Sequence, residues 1–220
     1  MPWRGEKNSL LTERKCSMKK EMTRYDIPKE ILDEMLAPGY GPLETGYKVL
    51  PDGKVFAATY TRFPYAKGRM VAWWFGTFLH NTQSYKLWHP DHTTFVWDDQ
   101  KKSGTCVGAT HISEEYLGGR LVPMRIKFYD PSDVFDVSKF EESHISCALV
   151  AEISGPDGIV FSMFLHIVRD TSFGCEMRNR FWLIGGTEEA AKGLIKHNLE
   201  EMGSLAEFLP GLFLRENQGA

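Results

Sequence analysis

The sequence predicts an α+β domain in which a curved antiparallel sheet grips one long C-terminal helix. Three observations predict it. Five strand-like runs lie between about 105 and 184, joined by short turns that make consecutive strands antiparallel neighbours. A long capped helical segment follows over 187–209. Only short helices and one hairpin precede the strands. A sheet bent round a helix leaves a cavity between them, and side chains on the sheet-facing side of the helix point into it.

The elements are justified in order. Residues 1–25 are polar and mostly basic (Arg4, Lys7, Arg14, Lys15, Lys19, Lys20) and read as a flexible tail, leaving one domain over 26–220. Ile27–Leu36 is a short helix with Pro28 in its first turn, broken by Pro38, Gly39, Gly41 and Pro42. Tyr47–Val49 and Val55–Arg62 flank Pro-Asp-Gly at 51–53, a hairpin turn. The aromatic stretch from Arg69 to Leu87 has no proline and reads as one helix ending before Pro90. The strands are expected at about 105–117, 121–129, 143–154, 158–169 and 174–184. In the last helix, Thr187 is the N-cap, Glu188 and Glu189 suit the positive helix start, and Pro210 ends the run.

Composition bounds the function. The chain has 220 residues, 42% hydrophobic and 25% charged, ordinary for a globular domain. A formal charge of −3 offers no basic excess for phosphates, so nucleic acid is not the expected partner. The four cysteines, at 16, 106, 147 and 175, form no CxxC and no dense framework, which suits a reduced, cytoplasmic protein. No run of 18 apolar residues occurs, so no membrane partner is expected.

Candidate chemistry begins on the last helix. Ala190, Leu194, Leu205 and Phe208 form an apolar stripe, and His197 and Glu201, four apart, fall within it. Glu200 turns away. A carboxylate on a core-facing stripe is costly unless it is paired or holds a metal, and a histidine one turn earlier makes metal binding economical. A buried His–Glu hydrogen-bonded pair is the alternative. On the run 105–117, alternation puts Val107, Ala109, His111, Ser113 and Glu115 on one face, so Glu115 is a third ligand candidate with His111 beside it. His89 and His92 flank Pro90, which fixes the local backbone and can aim one imidazole. On 158–169, Ser162, Phe164 and His166 share a face, and the opposite face (Phe161, Met163, Leu165) reads as core. His166 is a pocket acid/base or a structural histidine. Glu176, Arg178, Arg180 and Trp182 share a face and read as a cross-strand charge ladder, or as partners of the ligands.

Several strings together resemble a known family. They are Val71-Ala-Trp-Trp-Phe-Gly76, Tyr85-Lys-Leu-Trp-His-Pro90, Gly108-Ala-Thr-His-Ile-Ser-Glu-Glu-Tyr-Leu-Gly-Gly119, His166-Ile-Val-Arg-Asp170, Gly174-Cys-Glu-Met-Arg-Asn-Arg-Phe-Trp182 and His197-x3-Glu201. In order and kind, over about 45–210, they resemble the 2,4-diacetylphloroglucinol hydrolase and phloretin hydrolase family. The resemblance implies a helix-grip fold like that of the plant pathogenesis-related (Bet v 1-like) pocket proteins. It implies one Zn2+ held by His92, Glu115, His197 and Glu201, with His92 preferred to His89 and Glu115 to Glu114. It implies hydrolysis of a carbon–carbon bond between an aryl carbon and an acyl group of a small aromatic or polyketide substrate. Tyr85, His89, His111 and His166 are the candidates for phenol hydrogen bonding or proton transfer. A homodimer is a further expectation. The spacing from His92 to Glu115 is short for the family. A metal-dependent lyase, decarboxylase, aldolase or cyclase uses the same pocket chemistry, and a non-catalytic binder of hydrophobic ligands uses the same fold.

Overall fold

The computed structural model describes residues 27–217; the expected basic tail over 1–25 lies outside them. The chain runs α1 (Lys29–Leu36), β1 (Gly46–Val49), β2 (Val55–Pro64), α2 (Gly68–Trp73), a π-helical turn (Trp74–Phe78), α3 (Thr82–Trp88), β3 (His92–Trp97), β4 (Thr110–Leu117), β5 (Arg120–Tyr129), β6 (Ile145–Ser154), β7 (Val160–Thr171), β8 (Gly174–Leu183) and α4 (Glu188–Asn217). Eight strands form one sheet in the order β1-β2-β8-β7-β6-β5-β4-β3. Every pairing is antiparallel. This is the α+β helix-grip architecture the sequence predicts.

Both faces of the sheet are covered near its middle. On the inner face, Ala191, Met202, Leu205, Leu209 and Leu212 of α4 pack with Val55, Ala57, Phe164, Phe181 and Leu183. On the outer face, Met35 and Leu36 of α1 pack with Phe56, Met163, Leu165, Ile167 and Trp182. Strand β8 is therefore buried at all ten positions. The expected faces of β7 hold for Met163 and Leu165, in the outer cluster, and for Phe164, in the inner one; Phe161 is the correction, since it packs with the inner cluster.

Four element expectations are corrected. The stretch 69–87 is not one helix. After α2 the backbone widens into the π turn, closed by Leu79 N–H donating to the Trp74 carbonyl at 2.9 Å. Asn81 then caps α3 by accepting from the Ser84 N–H, while the Ser84 hydroxyl accepts from the Asn81 N–H. A strand stands at His92–Trp97 where none was expected, although Thr-Thr-Phe-Val-Trp is rich in β-formers. The strand expected at 105–117 begins only at Thr110, because Gly108 takes a φ of +84° that breaks extended backbone. Pro210 does not end α4, which continues to Asn217. Packing outweighs the lost hydrogen bond there: Leu212 is buried and Phe213 meets the Trp73 ring edge-on at 5.1 Å.

The expected charge ladder on β8 holds only at Glu176, which lies 3.9 Å from its cross-strand partner Arg169. Glu176, Arg178 and Arg180 lie on the outer face, away from α4, so they are not partners of the candidate ligands. Arg178 instead donates to both Glu44 oxygens, at 2.7 and 3.0 Å, and Arg180 donates to Glu44 at 2.9 Å and Glu34 at 3.2 Å. α1 and the connection to β1 are thereby fastened onto the sheet. Among the described residues no disulfide forms, and Cys106, Cys147 and Cys175 are free and buried. None of the described helices is long and apolar enough to cross a membrane.

Candidate metal centre

Four elements converge on one point of the inner face. His197 and Glu201 stand one turn apart on the sheet side of α4, as helical spacing requires. Strands β3 and β4 supply the next pair, because the ladder register sets His92 directly opposite Glu115. The end of α3 supplies Tyr85 and Trp88. The Trp88 indole N–H donates to the Glu201 carbonyl at 2.9 Å and so ties α3 to α4.

The distances are short and the atoms are buried. His197 Nε2 lies 3.2 Å from a Glu115 oxygen and 3.9 Å from a Glu201 oxygen. His92 Nε2 lies 3.5 Å from the same Glu201 oxygen. None of these approaches has hydrogen-bond geometry, so His92 Nε2 and both His197 nitrogens are buried without a hydrogen-bond partner. One donor atom each from His89, His92 and His197 lies within 4.8 Å of the others. The Tyr85 hydroxyl is hydrogen-bonded to Glu115.

The tautomers follow from the partners. His92 Nδ1 donates to the Tyr85 carbonyl at 2.9 Å, since a carbonyl can only accept. Its Nε2 is then the bare nitrogen, aimed at Glu201. His89 has the opposite arrangement. Its Nδ1 accepts from the Asp91 N–H at 3.2 Å, which places the ring proton on Nε2, 3.9 Å from Glu200. Glu200 lies outside the cluster, 44% exposed, with Lys196 at 2.8 Å.

The electrostatics describe a site short of positive charge. Burial favours neutral His197, yet Glu115, Glu201 and Asp91 outweigh it and raise its pKa to about 9. Burial raises the Glu115 pKa, with the Glu201 charge adding to it. At Glu201 burial also works against ionisation, but His92, His197 and Asn198 prevail and lower the pKa. Two carboxylates and imidazoles with unpaired nitrogens, closed off from water, are a donor set that fits a divalent ion. An ion bound there would take up His92 Nε2 and His197 Nε2 and offset the two carboxylate charges.

A cavity of about 640 Å³ opens from this cluster between sheet and helix. Glu115, His197 and Glu201 line one part, while Val122, Ile126, Phe128, Ile153 and Leu194 make much of the rest apolar. His111 and His166 line it as well. Burial pushes them down to about 3 and about 4, so both are neutral at pH 7. Both His111 nitrogens and His166 Nδ1 lack a protein partner. His89 is buried beside the cluster but does not line the cavity. Sequence reasoning passed over Asn198, whose amide contacts Glu201 at 2.9 Å. The signal was its polarity next to His197 on a buried helix face.

The chain is 24% identical to a 2,4-diacetylphloroglucinol hydrolase of a Pseudomonas species, over 84% of this chain and 75% of that one. It is equally identical to the 2,4-diacetylphloroglucinol hydrolase of Pseudomonas protegens, over 84% of this chain and 72% of that one. In fold it is similar to the solution structure of KanY protein, with a TM-score of 0.50 at 10% identity, over 71% of this chain and 98% of that one. The family described as "DAPG hydrolase PhiG domain" matches residues 28–187, well over half of the sequence, and the chain therefore belongs to that family.

Proposed function

We propose that the protein is a zinc-dependent hydrolase that cleaves the bond between a ring carbon and an acyl group of an acylated polyphenol. The observation that supports it most is the meeting of Glu115, His197 and Glu201 in the wall of a largely apolar cavity, with His92 buried directly behind them. Donors about 2.0–2.1 Å from one tetrahedral zinc stand about 3.3 Å apart, close to the 3.2–3.9 Å separations between these residues. Two His and two Glu cancel the charge of one divalent ion. The substrate class comes from the relatives, which are 2,4-diacetylphloroglucinol hydrolases.

When bound, zinc supplies a Lewis acid for the acyl carbonyl and lowers the pKa of a coordinated water toward ~7. The overall balance is simple. Water adds its oxygen to the acyl carbon, the aryl–acyl bond breaks, and the ring carbon takes up a proton. A carboxylic acid and a deacylated phenol result. The chain's own groups assist in three ways. Tyr85 donates its hydroxyl proton to Glu115 and so orients that carboxylate. Neutral His111 and His166 present unpaired nitrogens to the cavity, suited to accept from phenol hydroxyls or to carry the ring proton. The apolar walls exclude bulk water from the leaving carbanion.

The test is metal analysis with product mass on an acylphloroglucinol. The expected result is one zinc per chain and products summing to substrate plus water, both lost in His197→Ala. Products summing to the substrate mass alone would instead favour a lyase or cyclase in the same pocket. Full turnover by His197→Ala overturns the proposal.

A further inference from the structure

The inner face carries a hydrogen-bond chain that ends on Glu201. Thr59 on β2 and Asn179 on β8 are cross-strand partners. The Thr59 hydroxyl and the Asn179 amide, at 2.8 Å, both donate to the side-chain oxygen of Asn198. The Asn179 amide also donates to Thr59 at 2.9 Å. Asn198 in turn donates its NH2 to Glu201 Oε1 at 2.9 Å. Thr59, Asn179 and Asn198 are all at most 2% exposed.

The chain has one consistent direction. An ionised carboxylate only accepts, so the Asn198 amide must turn its NH2 toward Glu201. Its oxygen then faces β2 and β8, where two donors meet it. Reversing the amide would set two acceptors against each other unless Glu201 took a proton. The rigid sheet thus fixes the amide, and the amide fixes which carboxylate oxygen is occupied. Glu201 Oε2 is the one left for the cluster, 3.5 Å from His92 and 3.9 Å from His197.

We infer that Asn198, anchored by Thr59 and Asn179, is a positioning residue that presents Glu201 Oε2 to the metal and holds that carboxylate in a single orientation. The inference rests on the metal reading above. Residues that orient ligands from behind change metal affinity by about 10–100-fold when replaced. Asn198→Asp is the informative variant. It keeps the acceptor for Thr59 and Asn179 but sets an oxygen against Glu201 Oε1.

The experiment compares wild type and Asn198→Asp by chelator-competition zinc affinity, by the visible spectrum of the Co2+-loaded protein, and by the melting temperature of the metal-free protein. Expected are zinc binding weaker by about 10–100-fold and an altered Co2+ spectrum in a folded variant. A merely structural role would move the melting temperature and leave the spectrum of the bound ion alone. Wild-type affinity and spectrum in folded Asn198→Asp overturn the inference while the metal reading stands. If Asn198→Asp does not fold, Thr59→Val decides, because it removes an anchor that never touches Glu201. A several-fold loss of affinity supports the inference, and none overturns it. Wild-type protein that takes up no zinc overturns the metal reading, and the inference falls with it.

Discussion

At the scale of single residues, the neighbouring pairs are the sharpest comparisons. His89 and His92 lie three apart, both buried, yet their tautomers differ because one Nδ1 accepts from an amide and the other donates to a carbonyl. His92→Ala should lose stoichiometric zinc, and His89→Ala should keep it. Elemental analysis after gel filtration checks this, and the reverse pattern would refute the tautomer assignment. Glu200 and Glu201 make a second pair. Glu201 is held among His92, His197 and Asn198, while Glu200 is a solvated partner of Lys196. Glu201→Ala should abolish metal retention. Glu200→Ala should change stability by no more than ~0.5 kcal/mol, read from the urea midpoint. Helical periodicity made His197 and Glu201 legible in the sequence, because a stripe is a property of one element. Asn198 was not legible as a partner. Its role depends on Thr59 and Asn179, which the sequence places far away and only the β2–β8 pairing brings near.

At the scale of elements, local rules were overruled wherever packing was dense. No proline or glycine marks the end of the π turn, so 69–87 reads as one helix, and the only visible cue was the Asn81-x-x-Ser84 cap. Gly76 shows what shapes the turn. A Cβ there would lie 2.6 Å from the Gly104 carbonyl oxygen, and the Gly76 carbonyl accepts from Lys101 at 2.6 Å. The π turn is thus pressed backbone to backbone against the loop before β4. Gly76→Ala should destabilise the protein by about 1–3 kcal/mol through overpacking. Because Phe75 and Trp88 line the cavity, it should also weaken substrate binding more than zinc binding. An unchanged denaturation midpoint would show that the loop yields freely. Pro210 misled for the same reason. The contacts of Leu212 and Phe213 lie beyond it and hold the last turns in place.

At the scale of the whole molecule, the turns of the meander made the strand order from β4 to β8 readable. The joining of β2 to β8 was not, since it closes the sheet across more than a hundred residues without a local signal. That closure leaves Arg178 and Arg180 fully buried on the outer face, and the fold answers with Glu44 and Glu34 from the segment that crosses them. The arginines cannot shed their charge, so Glu44 carries the pH dependence. Burial works against the Glu44 carboxylate, but hydrogen bonds from Arg178 and Arg180 outweigh it and hold the pKa at about 2, below the usual 4.5. As pH falls, the unfolded chain takes up this proton first. The stabilisation is therefore complete above about 4.5 and is lost as pH falls toward about 2. The full shift corresponds to at most ~3 kcal/mol, and partial solvation of the carboxylate reduces that to about 1–2 kcal/mol. Glu44→Gln should be less stable at pH 7, because it leaves two buried guanidinium groups undercompensated. Its stability should also fall less than that of wild type between pH 4.5 and 2. Denaturant titrations of both proteins across that window measure the difference. Parallel acid limbs would show that Glu44 does not fasten the outer layer to the sheet in the way the geometry indicates.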